Sequence, residues 1–185
     1  STLSSSSAAS DVYERQMRRI EMTPEQEYKE LYERMAALCT EQQWGDPFSY
    51  ARSKEIYAAI ALGHTVATTL SGADAINAAG QEVEYKSTIG NKVKGSYTGI
   101  SVQPTWQEQE AYLKDDKIGK YPEHYFNRFS GGKLAESWMM TGAKVLELLT
   151  PKLAVKYATV LSKKDPRLGA NITWKEIKKY GKQII

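Results

Sequence analysis

The chain of 185 residues predicts an α/β fold in which a small mixed central β-sheet is flanked by helices. Three observations carry that prediction. Helix patterns with start and stop signals fill the segment before residue 64, β-branched and alternating segments follow, and a Gly-Gly turn between apolar runs precedes another helix pattern. The length suits one domain, and 41% apolar with 25% charged residues suits a globular one.

Residues 1–10 are almost all Ser and Ala. They offer too little apolar surface to order themselves and are set aside as a disordered tail or expression remnant, leaving 11–185 as a single domain. Thr23-Pro24-Glu25-Gln26 supplies an N-cap, a proline at the first helical position and a capping-box glutamine. Tyr28, Leu31, Tyr32, Met35 and Leu38 then recur at helical spacing, so a helix is expected over about 24–40. Trp44-Gly45-Asp46-Pro47 ends it, and Ala51, Ile56, Ala59 and Ile60 trace a second helix stopping at Gly63-His64.

Residues 65–70 are rich in β-branched side chains, Ser71-Gly72-Ala73-Asp74 punctuates them, and 81–88 reads as a strand after the Gly80 turn. A third strand is expected near 99–103. Residues 125–129 and 134–139 flank Ser130-Gly131-Gly132-Lys133 as a hairpin. Thr141 or Gly142 opens a helix through Leu149, and Pro151 interrupts or restarts it. Within the tail at 171–184, Thr173 caps a basic helix carrying Lys175, Lys178 and Lys179.

Composition narrows the function. Lys and Arg exceed Asp and Glu by 25 to 22, and the resulting charge of +3 permits a polyanionic partner without requiring one. A single cysteine, Cys39, excludes an intrachain disulfide and multi-thiolate zinc sites, and fits a reducing, cytoplasmic compartment. Cys39 also lacks a nearby His in sequence and reads as core. No apolar run approaches a membrane span, and no basic-then-apolar leader is present, so no membrane anchor is expected. Neither a phosphate-binding glycine loop with its Lys-Ser/Thr nor a dinucleotide fingerprint occurs. His64 and His124 lie far apart; the first reads as a helix-end residue and the second as part of a turn.

The segment around Asp74 carries the chemistry. Residues two apart in a strand share a face, so Glu82, Glu84 and Lys86 point one way while Val83 and Tyr85 point the other. Facing bulk water, that pattern is an ordinary amphipathic strand. Asp74 changes the reading, because a hairpin through Gly80 brings its carboxylate beside those of the second strand. Two carboxylates on one gap repel unless neutralised, and hard oxygen donors of this kind select Mg²⁺. Lys86 projects into the same space, where a cation can hold an attacking water or offset charge on a phosphate.

These residues resemble the PD-(D/E)XK nuclease superfamily, which includes many type II restriction endonucleases. Asp74 matches the first acid and Glu84-Tyr85-Lys86 the acid-x-lysine element, while Ser49 to His64 is similar to the family's leading helix, with Glu55 as the glutamate that often completes the metal shell. The resemblance covers about residues 48–88, and Ala73 stands where the family has proline. It implies a restriction-endonuclease-like fold and a Mg²⁺-dependent endonuclease, with Mn²⁺ as a substitute ion. Asp74, Glu84, Glu55 and the Tyr85 main-chain carbonyl are then the metal ligands, and Lys86 positions the nucleophilic water. Glu82 is a rival to Glu84 but lies four residues before Lys86.

Double-stranded DNA is the expected partner, and a homodimer is expected because cutting two strands needs two sites. Lys92, Lys94, Tyr97, Gln103, Trp106 and Gln107 between the strands, with Arg128 and Lys133 on the hairpin, are the candidate DNA contacts. A solvated loop with Trp106 anchored in the core is the competing reading. Arg15, Arg18 and Arg19 form a lesser basic patch. Beside a sequence-specific restriction enzyme stand two rivals: a structure-directed or phage-type nuclease of repair, recombination or replication interference, and a DNA-binding module without activity.

Overall fold

A computed structural model describes residues 22–68 and 72–185. Arg15, Arg18, Arg19 and the end of the 65–70 strand expectation lie outside the described residues. The chain divides into two compact units, Ser1–Pro47 and Phe48–Ile185, with the division at the Trp44-Gly45-Asp46-Pro47 breaker.

In the first unit, helix α1 spans Pro24–Glu41. Thr23 Oγ1 accepts from the Gln26 N–H at 3.4 Å and Gln26 Oε1 accepts from the Thr23 N–H at 2.9 Å, so the capping box closes as its sequence implies.

The second unit opens with α2, Arg52–Leu62, which Gly63 ends in the left-handed conformation at φ 71°. Its buried positions are Arg52, Ile56, Ala58 and Ala59. Ile60, placed in the apolar stripe by spacing, is 62% exposed instead. A meander of β1 (Thr65–Val66), β2 (Ala75–Ile76) and β3 (Glu82–Thr88) follows. The chain then leaves the sheet through β4 (Gly95–Ser101), α3 (Trp106–Tyr112) and a π-helical turn, Leu113–Lys117. It returns as β5 (Glu123–Ser130), turns through Gly131 and Gly132 at φ 55° and 76°, and continues as β6 (Lys133–Thr141). Both glycines adopt the left-handed region that such two-residue turns demand. Helix α4 (Gly142–Val160), β7 (Arg167–Ile172), α5 (Trp174–Tyr180) and β8 (Lys182–Gln183) complete the unit.

The central sheet has the order β1-β2-β3-β5-β6-β8, with β3 and β5 parallel and every other pair antiparallel; β4 and β7 form a separate two-stranded ribbon. This is the mixed α/β architecture the residue pattern predicts, with helices flanking the sheet. Several elements differ from expectation. Helix α4 runs through Pro151 to Val160, because Leu149, Leu153, Tyr157 and Val160 continue one buried stripe past the proline. Burying such side chains stabilises by about 1.5–3 kcal/mol each, which exceeds the roughly 3 kcal/mol cost of an interior proline. Helix α3, read as loop from composition, is capped by a Thr105/Glu108 box. The tail helix stops at Tyr180, and residues beyond it add an edge strand to β6.

Register sorts the side chains of the sheet. Glu84 and Lys86 lie level with His124 and Phe126 of β5, and these with Met140 and Trp138 of β6, all on one face. That face is covered: Phe126, Met140 and Trp138 join Tyr97, Ile100, Leu113, Ile118, Leu149 and Leu153 in the main core. Val83, Tyr85 and Tyr125 occupy the opposite face, where His64, just beyond α2, meets the Tyr85 ring.

Candidate active site

Asp74 immediately precedes β2. The ladder pairs Ala75 with Val83 and Ile76 with Glu82 and ends there; Asp74 stands just before it, and its N–H donates to the Val83 carbonyl at 3.1 Å. Asp74 Oδ2 also accepts from the Tyr85 N–H at 2.6 Å. The half-buried Asp74 carboxyl is pushed up to about 8, first by burial, then by the negative charges of Glu84 and Glu55; the Tyr85 N–H and Lys86 act in the opposite direction.

Lys86 Nζ hydrogen-bonds Glu84 Oε1, with the two side chains 21% and 18% exposed. The same ammonium stands 5.1 Å from the centroid of the Tyr97 ring. Tyr97 was a candidate DNA contact by sequence, yet it is 5% exposed and forms a wall of the acid site. Its hydroxyl lies 2.9 Å from His124 Nδ1, and His124 Nε2 lies 3.0 Å from the Ile118 carbonyl. His124, read as a turn residue, is fully buried in β5, and burial holds its imidazole down to about 4. Tyr121 completes this side: burial, then Glu84, Asp74 and Glu82, raise its phenol well above the usual range.

Glu55 reaches the site through its field rather than through a direct bond. Its Oε2 lies 3.3 Å from Arg52 Nη1, and the Arg52 guanidinium, 2% exposed, also donates to the Ala67 carbonyl. Glu82, the rival acid, is exposed and pairs with Ile76, one step farther toward the strand's start than Glu84. Behind the site, His64 Nδ1 is 2.7 Å from the Tyr85 hydroxyl, Tyr85 and Tyr125 meet edge to face at 5.8 Å, and Tyr125 donates to Glu123 Oε2 at 2.8 Å. This network grips Tyr85 from the side opposite the acids, a role no sequence signal assigned to His64.

The remaining candidate DNA contacts are scattered. Lys92 and Lys94 are exposed between β3 and β4, and Gln107 is exposed on α3. Gln103 is tied into the fold, its N–H donating to Gln109 Oε1 at 2.9 Å and its carbonyl accepting from the Tyr157 hydroxyl at 2.7 Å. Trp106 is half-buried and packs edge to face on Tyr157 at 5.3 Å, which is the core-anchor alternative. Arg128 pairs with Glu136 at 3.0 Å. Lys133 opens β6 opposite Ser130, six residues along β5 from the level of Glu84, or about 20 Å. The hairpin pair is therefore not beside the acids.

No group of three or more His, Cys, Asp or Glu side chains among the described residues is arranged to hold a metal ion. The donor set at Asp74 is smaller: the carboxylates of Asp74, just before β2, and of Glu84, on β3, with the Tyr85 carbonyl next to Glu84 in sequence. Mg²⁺ is commonly held by one or two carboxylates while keeping several waters, so this oxygen-only set fits it. The nearest imidazole, His124, has both nitrogens engaged. A carboxyl that retains its proton near neutrality beside a second acid is also a place where a cation gains by displacing that proton. Among the described residues no helix is long and apolar enough to cross a membrane. Neither a family model nor a curated protein matches the chain.

Proposed function

We propose that this chain is a Mg²⁺-dependent endonuclease that hydrolyses DNA phosphodiester bonds. The observation that carries the reading is the meeting of Asp74 and Glu84: Asp74 Oδ2 accepts from the N–H of Tyr85, the residue after Glu84, the charges of the two acids act on each other, and Lys86 is joined to Glu84. The order of elements adds support: a helix bearing Glu55, then the meander bearing Asp74 and Glu84-Tyr85-Lys86, matches the order of parts in the PD-(D/E)XK nucleases that these residues resemble. Asp74, Glu84 and the Tyr85 carbonyl would hold the ion, with Mn²⁺ able to replace it. When bound, the ion supplies an acidified water and neutralises charge on the phosphate.

The chain's own residues do the rest. Lys86 orients the attacking water and offsets charge growing on the phosphoryl oxygens. The Tyr85 N–H keeps Asp74 Oδ2 turned toward β3. Glu55, restrained by Arg52, adds negative potential that favours a cation at Asp74. The finer reading is a sequence-specific, restriction-type enzyme acting as a homodimer on double-stranded DNA in the cytoplasm, with exposed Lys92, Lys94 and Gln107 as its contacts. Supercoiled and linear unmethylated DNA, incubated with the protein and Mg²⁺ beside EDTA, Asp74→Ala and Lys86→Ala controls, tests both levels. Discrete fragments lost in all three controls are expected. A smear rejects sequence specificity alone, and intact DNA with Mg²⁺ and with Mn²⁺ rejects the nuclease.

A further inference from the structure

Lys86 has two partners, and a bound cation would compete for one of them. Its Nζ rests on Glu84 Oε1 and over the Tyr97 ring, 5.1 Å from the centroid. A divalent ion held by Glu84 draws on the same carboxylate oxygens, so the lysine–carboxylate bond is the one that weakens. The ring face, which attracts a cation through its quadrupole, is unaffected by that competition. We propose that Tyr97 is a positioning residue whose ring holds the Lys86 ammonium over the acid site while Asp74 and Glu84 carry a cation; the proposal rests on the nuclease reading above.

The bond between Tyr97 and His124 is directional. A carbonyl oxygen only accepts, so His124 Nε2 carries the proton that goes to Ile118 at 3.0 Å, and Nδ1 is left as an acceptor for the Tyr97 hydroxyl at 2.9 Å. Three elements thereby converge on one ring: β4 carries Tyr97, β5 carries His124, and the end of the π-helical turn supplies Ile118. The neutral imidazole that burial enforces is the form able to accept at Nδ1.

The local backbone is shaped for this approach. Gly95 lies two residues before Tyr97, on the same side of β4, and a Cβ there would fall 2.3 Å from Phe126 Cε1. Phe126 is fully buried, so its ring has no free direction in which to yield. Glycine at 95 lets the ribbon lie close enough to the sheet for the phenol to reach β5. Packing alone would be met by an apolar residue at 97; a buried hydroxyl and a buried imidazole are stable there because they satisfy each other.

Tyr97→Phe and Tyr97→Leu, assayed for Mn²⁺-supported DNA cleavage, separate positioning from simple packing. Tyr97→Leu is expected to lower kcat about tenfold, with KM for DNA and Mn²⁺ affinity within about twofold of the parent, whereas Tyr97→Phe keeps the ring and most of kcat. An unchanged kcat in Tyr97→Leu, or parallel losses in Mn²⁺ affinity and KM, overturns the proposal. A second readout is independent of cleavage: in ¹³C-lysine-labelled protein, the ring current of Tyr97 should move the Lys86 ε-methylene protons upfield, with Lys86→Arg identifying the signal. The shift should persist in saturating Mg²⁺ and in Tyr97→Phe, and vanish in Tyr97→Leu. A Lys86 signal at its ordinary position, or one that returns there when Mg²⁺ is added, overturns the positioning role even if the parent never cuts DNA. Wild-type protein that leaves DNA intact while keeping the upfield shift in Mg²⁺ rejects the nuclease and retains the contact.

Discussion

Asp74 should make the metal-free protein lose stability as pH rises. Its carboxyl titrates near 3.8 in the unfolded chain and at about 8 in the folded one, so between these values the folded state keeps a proton that the unfolded state has released. Stability from this group is therefore fully present below pH 4 and is lost as pH climbs toward 8, at a limiting rate of about 1.4 kcal/mol per pH unit. Over pH 5 to 8 the ceiling is about 4 kcal/mol. His124 acts with the opposite sign: its folded value, about 4, lies below the ordinary 6.5, so its contribution grows as pH rises through that interval. Comparing the parent with Asp74→Asn cancels the histidine. Urea midpoints in EDTA at pH 5, 6, 7 and 8 should show the variant gaining on the parent by up to about 1.4 kcal/mol per unit. Addition of Mn²⁺ at pH 8 should close the gap, because the ion binds the ionised carboxylate. Parallel pH profiles for parent and variant would refute the assignment of the proton to Asp74.

Two further outcomes follow from the packing. Arg52→Ala removes the guanidinium that joins Glu55 to the Ala67 carbonyl, leaving a part-buried carboxylate and a buried acceptor unpaired; a loss of about 3 kcal/mol is expected in urea unfolding, and a loss under 1 kcal/mol would show that water replaces it. Gly142→Ala builds a Cβ 2.0 Å from the Tyr121 carbonyl oxygen, at the point where the Gly142 N–H donates to Pro122, so the start of α4 must shift. The expected cost is about 2 kcal/mol or more by thermal unfolding, with the wild-type midpoint as the contrary result.

Much of the site was legible because it is local. The strand alternation through Glu82, Glu84 and Lys86, the Gly80 turn and the position of Asp74 point to acids meeting near β3, and Asp74 Oδ2 does bond to the Tyr85 N–H beside Glu84. Capping chemistry likewise located α1 and the beginnings of α4 and α5. What was missed depends on distant pairing. His124 lies level with Glu84 only because β5 runs parallel beside β3, and Tyr97 reaches it only because β4 leaves the main sheet to pair with β7. Nothing in the flanking residues of either announces that meeting. Helix α3 was the avoidable omission, since Thr105 and Glu108 stand at capping-box spacing. Pro151 misled for the reverse reason: the buried stripe from Leu149 to Val160 outweighs the local signal.

Whether Asp74 and Glu84 share one divalent cation is read from titration of the protein with Mn²⁺, followed by the loss of the free-ion paramagnetic resonance signal. A site in the parent that tightens as pH rises toward 8, and weakens at least about tenfold in Asp74→Asn and in Glu84→Gln separately, is expected. Parent protein that takes up no Mn²⁺, or takes it up equally well after both substitutions, would contradict it.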